Sequence, residues 1–158
     1  MPSTSELERA LREAGLRVTR PRVAVLAAVH GHPHADTESL HGAVRAELGR
    51  VSHQAVYDVL RALTDAGLVR RFEPAGSVAR YETRVGDDHA HLVCRVCGAI
   101  ADVDSVLGSP ACRSPADDAG FELERTEIVF WGLCPGCLSA LNAGRRTDGP
   151  ARPEKGPT

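Results

Sequence analysis

Apolar residues recur every three or four positions through the first 65 residues and at tighter spacing in short runs beyond them, a change of period that predicts helices followed by strands. Leu7, Leu11 and Ala14 define a first helix that starts near Ser5, with Glu8 placed to complete a capping box and Gly15 to stop the run. A second helix opens at Thr19, tolerates Pro21 in its first turn, and carries an apolar body from Val23 to Val29. After the break Gly31-His32-Pro33-His34, a third starts at Asp36 or Thr37 and runs through Leu40, Val44 and Leu48. Ser52 caps a fourth, on which Val56, Val59, Leu60 and Leu63 share the apolar face and His53, Gln54, Tyr57, Asp58 and Arg61 the polar one. Gly67 ends it, and residues 68–72 and 78–82 read as two short strands around Pro74-Ala75-Gly76. Helices followed by a small hairpin predict a winged helix-turn-helix over residues 1–84, with the helix from Gln54 to Leu63 offered to a DNA major groove.

Beyond Thr83 the pattern changes. Residues 91–93, 99–103 and 121–131 can supply three strands around a helix or loop, so residues 85–141 read as a small α/β domain and the whole chain as α+β. Ile128-Val129-Phe130-Trp131 is too apolar for a solvated edge strand and is expected inside a sheet or at a subunit contact. A domain this small favours a homodimer for which it supplies the dimerisation surface, and two-fold symmetry would present two reading helices to a palindromic double-stranded operator. From Asn142 the residues lose periodicity, and 142–158 is expected to be a disordered tail.

Charge alters this picture only locally. The chain has 19 basic and 21 acidic residues among 158, which argues against a uniformly basic nucleic-acid coat. Yet Arg17, Arg20 and Arg22 cluster at the start of the second helix, and Arg61, Arg70, Arg71 and Arg80 lie on or near the reading helix and wing. These suit phosphate contacts, while Tyr57, Gln54 and His53 suit base edges or the thymine methyl; a solvated polar face is the alternative. No apolar run approaches membrane-spanning length and no basic-then-hydrophobic leader opens the chain, so a cytoplasmic protein without membrane association is expected.

The cysteines carry the sharpest chemistry. Cys94 and Cys97 form one Cys-x-x-Cys clip and Cys134 and Cys137 another, the pairing that completes a tetrahedron around zinc. With four sulfurs no position remains for water or substrate, so the zinc is structural. Cys112 stands apart in a Pro/Ser/Asp-rich stretch and reads as a bystander. A second donor set uses only nitrogen and oxygen. His89 and His91 share a face of an extended segment, and His32, Glu82 and Asp102 approach the same region along the chain; His34 is the substitute if the loop turns differently. Imidazoles with carboxylates suit Fe(II) or Mn(II), whose binding would couple to DNA binding. Each residue also has a plainer reading: a turn histidine for His32, an ion pair with Arg80 or Arg84 for Glu82, a turn cap for Asp102. A zinc hydrolase would need a His-Glu-x-x-His helix or a comparable motif, which the chain lacks, so neither an enzyme nor a small organic substrate is expected. A zinc-stapled adaptor is the remaining class.

These residues resemble the Fur family of metal-responsive repressors. The likeness runs from Arg17 through Cys137: Arg17-Val18-Thr19-Arg20-Pro21-Arg22, His32-Pro33-His34-Ala35-Asp36, Ser52 with Ala55-Val56-Tyr57 and Leu60, Gly67-Leu68-Val69, the His89/His91 pair and both clips. Val51 to Leu60 and Gly76 to Glu82 look most like the actinobacterial FurA-like and CatR-like peroxide-sensing branch. The resemblance implies a dimeric repressor with structural zinc at Cys94, Cys97, Cys134 and Cys137. It also implies regulatory Fe(II) or Mn(II) at His32, Glu82, His89, His91 and Asp102, and base contact by Tyr57, with Arg61 a plausible phosphate contact. Peroxide would oxidise His32 or His89 and release repression of catalase-peroxidase and other oxidative-stress genes; the alternative is a ferrous-iron-responsive repressor. The chain departs from iron-sensing members at Ala90, where they often carry an acidic residue, and has no histidine after His91, so a third site is not expected. It keeps the peroxide branch's aspartate at Asp102 but has Glu82 where that branch commonly has aspartate, and His53-Gln54-Ala55 replaces commoner small residues.

Overall fold

The computed structural model describes residues 1–86, 89–104, 119–122 and 126–147, and the chain divides into two compact units, Met1–Asp87 and Asp88–Thr158. The first unit is helical with a small sheet. Its opening helix α1 spans Thr4–Glu13 and is capped by Ser3, not Ser5: Glu6 N–H points at Ser3 Oγ, and Ser3 N–H donates to Glu6 Oε2 at 2.7 Å. The same capping box thus operates two residues earlier, and Leu7 and Leu11 are the residues buried. Helix α2 (Arg20–Gly31) begins at the expected Thr19 cap with Pro21 in its first turn and buries Ala24, Val25, Leu26, Ala28 and Val29. Helix α3 (Thr37–Leu48) is capped by Asp36, whose Oδ1 accepts Ser39 N–H at 2.8 Å.

Helix α4 (His53–Asp65) starts at Ser52, whose Oγ accepts Ala55 N–H at 3.1 Å. Val56, Leu60 and Leu63, one helical face, are fully buried against α2 and α3. Fully burying side chains of this size stabilises by about 1.5–3 kcal/mol each, so the apolar face fixes which polar face α4 turns outward.

Three strands complete the unit: β1 (Ala35–Asp36), β2 (Arg70–Phe72) and β3 (Arg80–Glu82), antiparallel in the order β1-β3-β2. The hairpin was expected; β1, with two residues, is too short to show a period. Together these elements make the winged helix-turn-helix.

The second unit holds β4 (Ala90–Cys94), β5 (Ile100–Val103), β6 (Val129–Gly132) and α5 (Pro135–Thr147). The sheet order is β5-β4-β6, with β4 antiparallel to β5 and parallel to β6. Two expectations change here and one stays open. Of the strand expected over 121–131 the described residues show β6, and Phe121 is exposed outside any strand; residues 123–125 lie outside the described residues. Among the described residues β6 is an edge strand, and Phe130 and Trp131 on its opposite faces are 40% and 48% exposed in the single chain. The segment from Asn142, expected to be disordered, is helical through Thr147. Its first turn is fixed by the second cysteine clip, a constraint that hydrophobic periodicity does not register. Cys112 and residues 148–158 lie outside the described residues.

Candidate functional site

The four clip cysteines converge within the second unit. Cys94 ends β4, Cys97 follows in the turn beyond it, and Cys134 and Cys137 flank and enter the first turn of α5. All four Sγ atoms lie within 4.8 Å of one another, and Cys97 and Cys134 are 3.7 Å apart. A tetrahedron with Zn–S bonds of about 2.3 Å has edges of about 3.8 Å, so the spacing fits zinc. The Cys134 sulfur also accepts Cys137 N–H at 3.5 Å, as a helix cap would.

Protonation points the same way. Backbone N–H groups of Cys134, Cys97 and Val96 aimed at its sulfur lower the Cys94 thiol to about 6. Hydrogen bonds with the Cys134 and Cys97 sulfurs, followed by burial, push Cys137 up to about 12. Neighbouring thiols cannot all ionise without a compensating cation, and a divalent metal supplies that charge.

The nitrogen-and-oxygen donors expected from the sequence fall into one group in each unit. In the first, Glu82 on β3 is 1% exposed, and its Oε2 lies 3.2 Å from Nε2 of His34. Its Oε1 is 3.6 Å from Nε of Arg70, which sits opposite it in the β2–β3 register. His34 has φ +63°, a left-handed conformation uncommon outside glycine. Three contacts hold it there: His34 N–H donates to Tyr81 O at 2.9 Å, Arg80 Nη1 reaches His34 O at 3.5 Å, and the ring meets Phe72 edge-on at 5.9 Å.

His32, the histidine first expected to join Glu82, is exposed at the end of α2, with Nδ1 3.1 Å from Ala28 O. The fold brings His34 to Glu82 instead. A single residue, Pro33, separates the candidates, and His34 reaches Glu82 from a left-handed turn. Arg70 and Phe72 were also missed as partners; their signal is the hairpin register, legible only once β2 and β3 are paired.

In the second unit the expected alternation holds: His89 precedes β4 and His91 lies within it, both buried. Their Nε2 atoms are 3.2 Å apart, close to the spacing of about 3 Å for two ligands at right angles on one ion. Asp102 faces His91 across the β4–β5 pair, with Oδ1 3.6 Å from His91 Nε2 and 3.9 Å from His89 Nε2. Two imidazoles and a carboxylate on a sheet, with no sulfur among them, fit a borderline divalent ion such as Fe(II) or Mn(II).

Of the residues expected to meet DNA, Arg17, Arg20, His53, Gln54, Tyr57, Arg61 and Arg71 lie exposed on the first unit, whereas Arg22, Arg70 and Arg80 are half-buried, Arg70 beside Glu82 and Arg80 beside Asp36. His53, Gln54, Tyr57 and Arg61 occupy the outer face of α4, Tyr57 being 50% exposed. Gln54 Nε2 donates to Asp58 Oδ1 at 2.8 Å, and Arg61 Nε is 3.9 Å from Asp65. Arg17 and Arg20 bracket the cap of α2, where the Arg17 carbonyl accepts from Arg22 Nη1 at 2.7 Å.

The model of the Ferric uptake regulator family matches residues 13–130. The chain belongs to that family. It is therefore a metal-responsive transcriptional regulator, not an enzyme. Among similar proteins is the transcriptional regulator FurA of Mycobacterium tuberculosis, 61% identical over 137 residues that cover 87% of this chain and 93% of the relative. Ferric uptake regulation protein 2 of Mycolicibacterium fortuitum is 57% identical over 143 residues, covering 89% and 98%. The solved structure of the Pseudomonas aeruginosa ferric uptake regulator with manganese superposes with a TM-score of 0.63 at 29% identity, covering 85% of this chain and 99% of that one. In this Ferric uptake regulator family member the four-cysteine cluster fits a structural zinc, and manganese is the metal of the Pseudomonas aeruginosa structure.

Proposed function

We propose that this regulator is a homodimeric, cytoplasmic repressor that binds a palindromic operator when Fe(II) or Mn(II) is bound, and that it senses peroxide through the iron form. The regulatory ion takes His34, Glu82, His89, His91 and Asp102 as donors, with His34 in the position first given to His32. Cys94, Cys97, Cys134 and Cys137 hold the structural zinc. The observation that carries the reading is the pairing of Asp102 with buried His91 and His89: an all nitrogen-and-oxygen set that leaves iron redox-active and spares the thiolates for zinc.

Metal binding adds stability to whichever arrangement of the two units brings both donor groups to one ion. Two copies joined along the exposed apolar residues of β6 then hold two α4 helices at groove spacing. A coupling of roughly 3 kcal/mol changes operator affinity about a hundredfold. Ferrous iron, when bound, would activate peroxide, which Mn(II) would not. His34 or His89 would then supply the two electrons: a ring C–H becomes C–OH with one peroxide oxygen, the other leaves as water, and the altered imidazole is a poorer donor.

The test is operator binding by zinc-loaded protein carrying Fe(II) or Mn(II), before and after peroxide. Loss of binding from the iron form alone, with a mass gain of one oxygen on a histidine peptide, supports the reading. Equal persistence of both forms overturns it in favour of a repressor that follows ferrous-iron supply, the second reading, which the name of the Mycolicibacterium fortuitum relative favours.

A further inference from the structure

A third group of metal-ligand side chains lies within the first unit, apart from both donor sets above. Glu38 and His41 stand three residues apart on α3 and so share a face. The turn through Gly49, which has φ +80°, brings His53, the first residue of α4, over them. The rings of His41 and His53 stack with centroids 3.6 Å apart, and His53 Nδ1 lies 3.5 Å from Glu38 Oε2. One donor atom from each of the three side chains falls within 4.8 Å of the others. We propose that Glu38, His41 and His53 form a further divalent-cation site, of the zinc and nickel class, that clips α3 to the head of α4.

The surroundings favour this chemistry. His41 is buried and its Nε2 is 3.1 Å from the Val51 carbonyl, to which Nε2–H donates. That is the outer contact metal-bound imidazoles commonly make: it sets the tautomer, orients the ring and leaves the lone pair on Nδ1. Lone pairs of stacked imidazoles lie in their ring planes and do not converge, so His53, 61% exposed, turns out of the stack to join Glu38, 81% exposed, on an ion held by the fixed His41. Arg45 and Arg50 line the hollow beside His41 and His53. Their charges oppose ions held by charge alone, such as magnesium or calcium, and leave the advantage to ions that gain most from imidazole lone pairs. The carboxylate in contact with His53 argues against an anion in the same place.

Any effect on DNA binding rests on reading α4 as the groove helix; the metal site itself does not. An ion here would add net positive charge beside the first residue of that helix and restrain His53.

Equilibrium dialysis of the zinc-loaded full chain against Ni(II) tests the site. Relative to the unaltered chain, Glu38→Gln and His53→Gln are each expected to lose one bound equivalent, or to weaken it by more than about 100-fold. Both side chains are exposed, so neither substitution threatens the fold. Asp102→Asn should remove a different equivalent, and Glu38→Gln combined with Asp102→Asn should remove both. Unchanged Ni(II) stoichiometry and affinity in Glu38→Gln and His53→Gln overturn the proposal. Unchanged binding in Asp102→Asn alone instead counts against the regulatory set and leaves this site standing.

Discussion

His34 combines backbone strain and candidate metal chemistry in one residue, and two substitutions separate them. His34→Ala and His34→Gly both delete the imidazole that lies 3.2 Å from Glu82 and edge-on to Phe72. Each therefore loses the same side-chain contacts, of which the ring pair contributes about 0.5–1.5 kcal/mol. They differ at the backbone. With φ at +63°, a Cβ costs about 1–2 kcal/mol that glycine does not pay, offset in part by glycine's greater freedom in the unfolded chain. The net expectation is that His34→Gly is about 1 kcal/mol more stable than His34→Ala, which for a domain of this size is roughly 4–8 °C in Tm. Metal binding should not follow stability: Mn(II) affinity falls in both variants and is retained in His32→Ala. Thermal unfolding with Mn(II) titration of the zinc-loaded chain reads both quantities. If His34→Gly is the less stable of the two, the left-handed turn is not strained as argued; if His32→Ala alone abolishes Mn(II) binding, the donor is the histidine first suggested by sequence.

Asp36→Ala removes the α3 cap and the carboxylate 3.7 Å from Arg80, and should destabilise by about 1 kcal/mol near neutral pH in denaturant unfolding. The Ser39 N–H, ahead of Arg80, holds Asp36 below its ordinary 3.8, so this stabilisation is full above that value. It is lost as pH falls through the lower folded value, and a variant difference that grows in acid would refute the assignment. Zinc uptake by the metal-free chain at neutral pH should release the Cys137 proton, held up to about 12, but little from Cys94, already thiolate above about 6. Calorimetry in buffers of differing ionisation heat should therefore count fewer than four protons per zinc, and a full four would contradict the spread. Trp131→Glu should weaken self-association by about 2 kcal/mol or more in sedimentation equilibrium if the exposed β6 edge is the subunit contact, and unchanged association would exclude that edge.

The parts of this molecule legible in its sequence are those governed by local rules. Thr19, Asp36 and Ser52 cap helices where a short polar side chain precedes an apolar period, and each does so by accepting an N–H three residues on. The cysteine clips are legible for a similar reason, because two thiols separated by two residues constrain a turn wherever it lies. Ser3 shows the limit of even a local rule: Ser3 with Glu6 and Ser5 with Glu8 satisfy the same box, and both starts carry Leu7 and Leu11 on the helix.

The expected meeting of Asp102 with His91 depends on β4 and β5 pairing in one register, since a slip of one residue would turn Asp102 to the other face. What escaped depends likewise on pairing between distant segments or on a single dihedral. His34 displaces His32 beside Glu82 because one residue adopts a left-handed conformation that no periodicity encodes. His41 was passed over because a histidine on a helix reads as surface or core until the turn through Gly49 sets His53 upon it. Cap and clip chemistry thus specify the scaffold, whereas donor sets assembled from several segments are specified by strand register and turn geometry. Substitutions at positions such as Gly49, which sets a turn without offering a donor atom, should therefore alter metal binding as strongly as substitutions of the donors they position.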